Sequence, residues 1–513
     1  MRERSVSALT ERSAVAVDEP TTVGPTVEVG TVRSAAYVFG SRMAVQMLSL
    51  VKGIVVARLL GPSELGAFFL VAAVVGAVEI ASHPGLEDAL IHSSDERPRL
   101  WQATWTALVV RGAAIGAALF VLSVPIADWL HAPEIVPMLR VVAIVPVLRG
   151  LTSLSLAWCT RQVDLRPAVM SDLFGNLLEM VLGVVFVAAT ESAWGLVAAM
   201  VAGTAARTLW SYRYAGFGPR FLFAWSEVRP LIGYSKWRFG SNLLYYLSVR
   251  ADDLLVGRYL GPASLANYRV AYRLANVPTT EIVSVVERVA FPALARKARD
   301  APSRALATYP RYLMLTCGLA GPMAAILAAL AEPTVSALLG PAFADAAVPL
   351  AIMCLAGYLR AVVSTAGSLV LGLGRPGLDT LMGVARAVVL VVGIIVFARY
   401  GVAGAAVASL LSLVVTVPVW LWSLAAVGAS PGAAVHVTLL RLPAALTAGI
   451  AAWGVSLTGW GPVARLIIGL VAGLAGFLIG MYLFDSPLRR ELASIVRQVR
   501  RRGRRPKPAD QEA

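Results

Sequence analysis

The sequence predicts an all-α polytopic membrane protein with about 14 transmembrane helices: two pseudo-symmetric six-helix lobes followed by two further helices. Three observations lead there. Hydrophobic residues make up 58% of the 513 positions and charged residues only 15%, whereas roughly a quarter of an average soluble domain is charged. A water-soluble fold of this size has nowhere to hide so much apolar surface. The chain also repeats itself at an offset of 200: Phe39-Gly40-Ser41 returns as Phe239-Gly240-Ser241, and Arg58-Leu59-Leu60-Gly61-Pro62 as Arg258-Tyr259-Leu260-Gly261-Pro262. Val56 matches Val256 and Leu65 matches Leu265 without a gap, and Glu79-Ile80-Ala81-Ser82 matches Glu281-Ile282-Val283-Ser284 after a slip of two. Arg166-Pro167 and Gly195 find counterparts in Arg375-Pro376 and Gly404. Third, basic residues alternate between successive loops. Homologous membrane-embedded halves are a mark of transporters, which rock one half against the other around a site at their interface.

A spanning helix needs about 20 mostly apolar residues. Such runs lie near 33–57, 64–90, 102–127, 136–158, 168–189 and 193–212, then near 233–257, 265–291, 310–331, 346–371, 378–398 and 402–426, and finally near 437–458 and 463–484. The expected organisation is a disordered, polar cytoplasmic tail over 1–32, which has no apolar core of signal-peptide type. Helices one to six follow over 33–213, an interlobe loop over 214–232, helices seven to twelve over 233–426, and helices thirteen and fourteen over 437–484. The remainder, 485–513, is a basic cytoplasmic tail. In it Leu488, Leu492, Ile495, Val496 and Val499 recur at helical spacing among Arg489, Arg490, Arg497, Arg500, Arg501 and Arg502. That pattern suits an amphipathic helix lying on anionic lipid headgroups. A nucleic-acid arm is the competing reading of this tail and of the net charge of +15.

Loop charges set the orientation. Connections after even-numbered spans carry Arg97 and Arg99; Arg161 and Arg166; Arg213, Arg220, Arg229 and Lys236; Arg296, Lys297, Arg299, Arg304 and Arg311; and Arg375. Loops after odd-numbered spans hold at most one basic residue each, and those around His131 and Pro333 hold none. Basic loops stay in the cytoplasm, so both termini are expected there, in a bacterial cytoplasmic (inner) membrane.

No enzymatic constellation emerges. Gly372-Leu373-Gly374-Arg375-Pro376-Gly377 formally matches a dinucleotide fingerprint, but it joins two apolar spans and lacks the acid that should follow; it reads as a turn. His83, His92, His131 and His436 are scattered, and Cys159, Cys317 and Cys354 lack metal or redox spacing, so no metal and no cofactor is expected. Gly469/Gly473 and Gly476/Gly480 allow close helix packing, within the protein rather than between copies.

The chemistry resides in charges within the spans. These are costly in lipid and therefore face the bundle interior or a watery cavity. Arg140, Arg386 and the set Arg42, Lys52, Arg111, Arg149, Arg250, Arg269, Arg273 and Arg360 outnumber the acids. That set is expected to line a cationic cavity for a multiply anionic substrate. Arg269 and Arg273, at i and i+4, share a helix face. Internal pairing is the competing reading: Arg250 and Asp253 stand at i and i+3, and Asp172 or Glu179 would neutralise Arg140 or Arg149. Lys52 aligns with Asp252 across the repeat, so the two either pair across the interface in one state or pair within their own halves. Glu79, Asp172, Glu179, Asp252, Asp253 and Glu281 are candidates for coupling transport to a proton or sodium gradient.

The run from Ala57 to Ile91, ARLLGPSELGAFFLVAAVVGAVEIASHPGLEDALI, resembles the bacterial polysaccharide transporter family. So does Trp158 to Asp300, with its Arg161-x-x-Asp164-Leu165-Arg166 loop, its Asp253-Leu254-Leu255-Val256-Gly257-Arg258-Tyr259-Leu260-Gly261 stretch and its Phe291-Pro292-Ala293-Leu294 ending; these are similar to the Wzx-type, WzxC-like oligosaccharide flippases. The likeness covers roughly 35–430 and implies the MATE-like fold of the multidrug/oligosaccharidyl-lipid/polysaccharide exporter superfamily, with spans one, two, seven and eight around a central cavity and its lateral opening. It also implies translocation of a polyprenyl-diphosphate-linked glycan to the outer leaflet, with glycosyltransferases or a glycan polymerase as partners. The polar N-terminal lead and arginine tail depart from the compact family pattern. Two alternatives stand beside this: a cation-coupled drug or metabolite antiporter of the same superfamily, and a membrane glycan polymerase or ligase. The first favours acidic cavities; the second needs a sizeable outer-face domain, whereas the outer loops here are only about 5–15 residues.

Overall fold

Apolar runs bounded by proline and glycine fold here as a helical bundle. The computed structural model describes residues 48–82, 85–93, 95, 97–214, 218–229 and 250–503, and among them no strand occurs. The first half comprises α1 (48–59), α2 (Pro62–Ser82), α3 (Leu86–His92), α4 (Pro98–Val121), α5 (Ser123–Trp129), α6 (Val136–Val142), α7 (Ile144–Gly150), α8 (Ser155–Arg161), α9 (Arg166–Thr190) and α10 (Trp194–Ser211). The second comprises α11 (Ala251–Asp300), α12 (Pro302–Ala329), α13 (Ala331–Leu338), α14 (Ala347–Gly372), α15 (Pro376–Phe397), α16 (Gly401–Ala426) and α17 (Pro431–Leu439). α18 (Leu442–Ser456), α19 (Pro462–Phe484) and α20 (Ser486–Gly503) complete the chain. The tail over 1–32, the start of span one and the start of span seven up to residue 249 lie outside the described residues.

Among the described residues, eight helices are long and apolar enough to cross a membrane, or nine if one bent pair counts as a span. This is a multi-pass membrane protein. The tally is smaller than the spans read from sequence in part because spans one and seven begin outside the described residues, and in part for physical reasons. The segment Pro376–Ala426 counts once, although it turns at Gly401 between α15 and α16. Span four is broken rather than continuous, bent by 48° between Pro133–Gly150 and Ser155–Arg161. At that break the Ser153 hydroxyl accepts from the Ser155 amide in a local serine turn, and the Ser153 amide donates to Ser211 Oγ at 2.9 Å. α11 is too charged to qualify. Its apparent continuity hides a boundary at Gly261, whose φ of 81° lies in the left-handed region that glycine alone enters freely, with Pro262 following. Spans seven and eight meet there, as spans one and two meet at Gly61-Pro62.

The repeat is visible in packing. Gly195 presses on the backbone of Phe186 and Val187, and Gly404 presses on Phe397, each closing the turn before its helix. The Gly372–Gly377 run is the turn expected of it, with Gly374 at φ 74°. Burial is inverted relative to a soluble helix. On α19, Val463, Ile467, Val471, Leu474, Leu478 and Tyr482 are exposed, whereas Gly469, Gly473, Gly476 and Gly480 are buried. The glycines face α12 at Leu330 and Ile326 and α18 at Thr447, so these pairs serve packing inside the protein.

The basic tail docks through its first turns. Arg441 and Asp485 form an ion pair at 3.2 Å with 4% and 0% side-chain exposure, a charge–charge contact rather than an aligned hydrogen bond. Asp485 also accepts from the Leu488 amide at 3.1 Å, capping α20. Leu488 is fully buried against the notch at Gly318, and Arg311 pairs with Glu491 at 2.5 Å. Asp485→Ala is expected to cost about 3–5 kcal/mol by stranding Arg441, while the double replacement Arg441→Met/Asp485→Leu recovers most of it. Thermal unfolding in nanodiscs measures both; equal destabilisation by the single and double variants overturns this account.

Candidate functional site

Every charged side chain inside the bundle must find compensation, and the partners differ in kind. In the first half Lys52 on α1 forms an ion pair with Glu179 on α9 at 3.0 Å, its stem resting against Gly183. Glu79 near the end of α2 pairs with Arg149 on α7. Arg111 on α4 donates to the carbonyl of Ser82 at 2.7 Å, to Ser82 Oγ at 2.9 Å and to the Glu79 carbonyl at 3.3 Å. It thereby satisfies the last carbonyls of α2, where a cation is also favoured by the helix dipole. Asp172 pairs with Arg207 at 3.5 Å, and Arg207 reaches Asn176 at 3.0 Å. Arg140 lies apart, against Ser123 Oγ and 5.6 Å from the Phe120 ring centroid.

In the second half, Asp253 is buried and shared by two cations, Arg269 at 2.7 Å and Arg250 at 3.6 Å. Asp252, also buried, accepts from the Tyr268 hydroxyl at 2.9 Å and makes no ion pair among the described residues. Lys52 and Asp252 are thus not partners in this state: each is held within its own half. Arg42 and the side chain of Glu281 lie outside the described residues.

Among the described residues, two further candidates have neither a carboxylate nor, as Arg111 has, the last carbonyls of a helix. Arg273 on α11 donates to Ser49 Oγ on α1 at 2.5 Å and lies over Gly53, where an added Cβ would come within 3.1 Å of its guanidinium. Arg360 on α14 donates to Asn276 Oδ1 at 2.7 Å and to the Tyr272 hydroxyl at 3.1 Å, and its Nε is buried without a hydrogen-bond partner. The contact of Arg273 with Ser49 joins the two halves, as does Arg269 over the Phe69 ring at 4.9 Å. α11 therefore presents Arg269, Arg273 and Asn276 along one line facing α1 and α2 or reaching α14.

Sequence reasoning missed Ser49, Tyr272 and Asn276, which carry no charge, and Arg207, which sits close enough to the following basic loop to read as its flank. The i, i+4 spacing of Asp172 and Asn176 was the available signal for a partner of Arg207.

The family described as polysaccharide biosynthesis protein matches residues 55–348. Among curated proteins, the chain is 26% identical over 352 residues to the succinoglycan biosynthesis transport protein ExoT of Rhizobium meliloti (strain 1021), covering 68% of this chain and 71% of that protein. It is 22% identical over 331 residues to the lipopolysaccharide biosynthesis protein WzxC of Escherichia coli (strain K12), covering 64% and 67%. Among solved structures, the lipid II flippase MurJ in an inward closed conformation superposes with a TM-score of 0.71 at 14% identity, over 89% of this chain and all of that one (100%). The two-lobed fold expected from the repeat is the one found.

The Lys52–Glu179 pair gives a direct check. A double-mutant cycle with Lys52→Met and Glu179→Gln is expected to return a coupling of about 1–2 kcal/mol in thermal unfolding. Additive single effects show that the two do not pair.

Proposed function

Because this chain belongs to the polysaccharide biosynthesis protein family, we propose that it is a flippase for a polyprenyl-diphosphate-linked oligosaccharide or polysaccharide precursor. It carries this substrate from the cytoplasmic to the outer leaflet by alternating access of two lobes, 33–213 and 233–426, around a cationic cavity. It is a transporter and not an enzyme. The observation that carries the reading is the pair Arg273 and Arg360, half-buried cations on α11 and α14 with only neutral hydrogen-bond partners among the described residues. A partly buried cation without an anion is costly, and a diphosphate repays that cost with charge and with oxygens that match a guanidinium fork. Lys52, Arg149, Arg250 and Arg269 have carboxylates already; they supply background potential or exchange partners during the cycle. The polyprenyl tail stays in the bilayer throughout.

The same balance disfavours a drug antiporter with an acidic cavity, since Glu79, Asp172, Glu179 and Asp253 are each bound to a cation. Asp252 is the acid best placed for ion coupling, because losing a cation there breaks no ion pair. The protein lies in the bacterial inner membrane with both termini cytoplasmic, its arginine tail against anionic lipids. Glycosyltransferases and a glycan polymerase acting on the same substrate are its functional partners.

Arg273→Gln and Arg360→Gln are each expected to lower translocation of a defined lipid-linked glycan in reconstituted vesicles on the order of tenfold, with melting temperatures close to the parent's. Full activity in both removes the site. The same vesicles under imposed proton or sodium gradients test coupling: flux indifferent to both, with Asp252→Asn fully active, removes it. For orientation, a membrane-impermeant thiol reagent added to intact cells should label cysteines placed near Glu134 and miss those placed at 505–513; the reverse pattern overturns the topology.

A further inference from the structure

Arg58 and Arg258 are the same residue in the two repeat copies, and each reaches into the opposite half. Arg58, at the end of α1, donates through Nε to the Leu338 carbonyl at 2.8 Å and through Nη2 to the Ala337 carbonyl. Those two carbonyls close α13. Arg258 on α11 donates to the carbonyl of Trp129, the last residue of α5, with its guanidinium 4.7 Å from the Trp129 ring centroid. The acceptors are equivalent as well. Trp129-Leu130-His131 and Leu338-Leu339-Gly340 each end a short helix, step to positive φ (53° at His131, 93° at Gly340), and lead into a short stretch of tighter helix opened by Pro133 or Pro341. Carbonyls in a last helical turn have no partner within the helix, and the negative end of the dipole lies there, so both positions accept a cation readily. Between the two contacts α2 and α11 cross at closest approach: a Cβ on Gly66 would collide with the Pro262 carbonyl, and one on Gly257 with the Leu70 side chain.

We infer that Arg58 and Arg258 form a reciprocal, twofold-related latch that holds the outer end of the substrate pathway shut and parts when the lobes open outward. The inference rests on the transporter reading and its orientation, which put the ends of spans one, three, seven and nine on the outer side. Main-chain carbonyls suit such a latch. When they part, no carboxylate is left stranded in the bilayer, and each arginine turns to the outer water on its flexible stem.

The test needs no glycan, so its failure is separable from failure of the translocation assay. Cys159, Cys317 and Cys354 are replaced by Ala, and Ser49→Cys serves as reporter on α1, about 13 Å below Arg58 along the helix. Its labelling rate by an impermeant maleimide on intact cells is measured in parent, Arg58→Gln, Arg258→Gln and double variants. The double variant is expected to label on the order of tenfold faster, the singles to have comparable smaller effects, and Lys at either position to restore most of the closure. A double variant with the parent's melting temperature that labels at the parent rate overturns the latch. So does a single variant that accounts for the whole effect, or a Glu134→Cys control that resists labelling from outside.

Discussion

A cation inside an apolar bundle has to find polar partners where it stands, and this constraint organises the molecule. Three solutions coexist. Lys52, Arg149, Arg269 and Arg441 use carboxylates, which fix neighbouring helices together. Arg111, Arg58 and Arg258 use the last carbonyls of helices, which cost no second charge. Arg273 and Arg360 use hydroxyl and amide groups, which leave the positive charge uncompensated. The first kind is suited to holding a lobe; the proposed function assigns the second to contacts that open and close, and the third to receiving an anion. The division of labour follows from what each partner leaves behind when it departs.

The two halves share a backbone and differ in chemistry. Gly61-Pro62 and Gly261-Pro262 make the same break between successive helices, Gly195 and Gly404 the same tight turn, and Arg58 and Arg258 the same reach into the opposite half. In the interior the copies diverge: Lys52 stands where the second half has Asp252, and Phe69 where it has Arg269. Steric demands of a turn are identical in both halves, so its residues persist. Interior positions carry no such shared steric demand, so they are free to part. The cation of Arg269 resting on the ring of Phe69 turns that divergence into a contact across the interface.

Much of the fold was legible in sequence because membrane insertion is written in one dimension. An apolar run long enough to span, a proline or glycine that ends it and a loop charge that orients it all act locally, and the repeat doubled the signal. The break in span four was not legible, since it depends on Ser153 meeting Ser211 from another helix. The docking of the tail was half legible: the spacing of Leu488 and its neighbours announced a helical face, but the notch at Gly318 and the Arg441–Asp485 pair belong to segments far apart in the chain.

The sequence by itself determined that the chain is a two-lobed, multi-pass bundle with more basic than acidic residues in its spans, because hydropathy, repeat and charge count are properties of residue identity alone. Only the tertiary structure decided which of those cations are already spoken for. Lys52 found Glu179 rather than Asp252, Asp253 took both Arg250 and Arg269, and Arg273 and Arg360 were left with neutral partners. Charge compensation depends on distances of a few ångströms between helices, and no linear spacing encodes these when the partners lie more than 100 residues apart, as Lys52 and Glu179 do with |i−j| of 127.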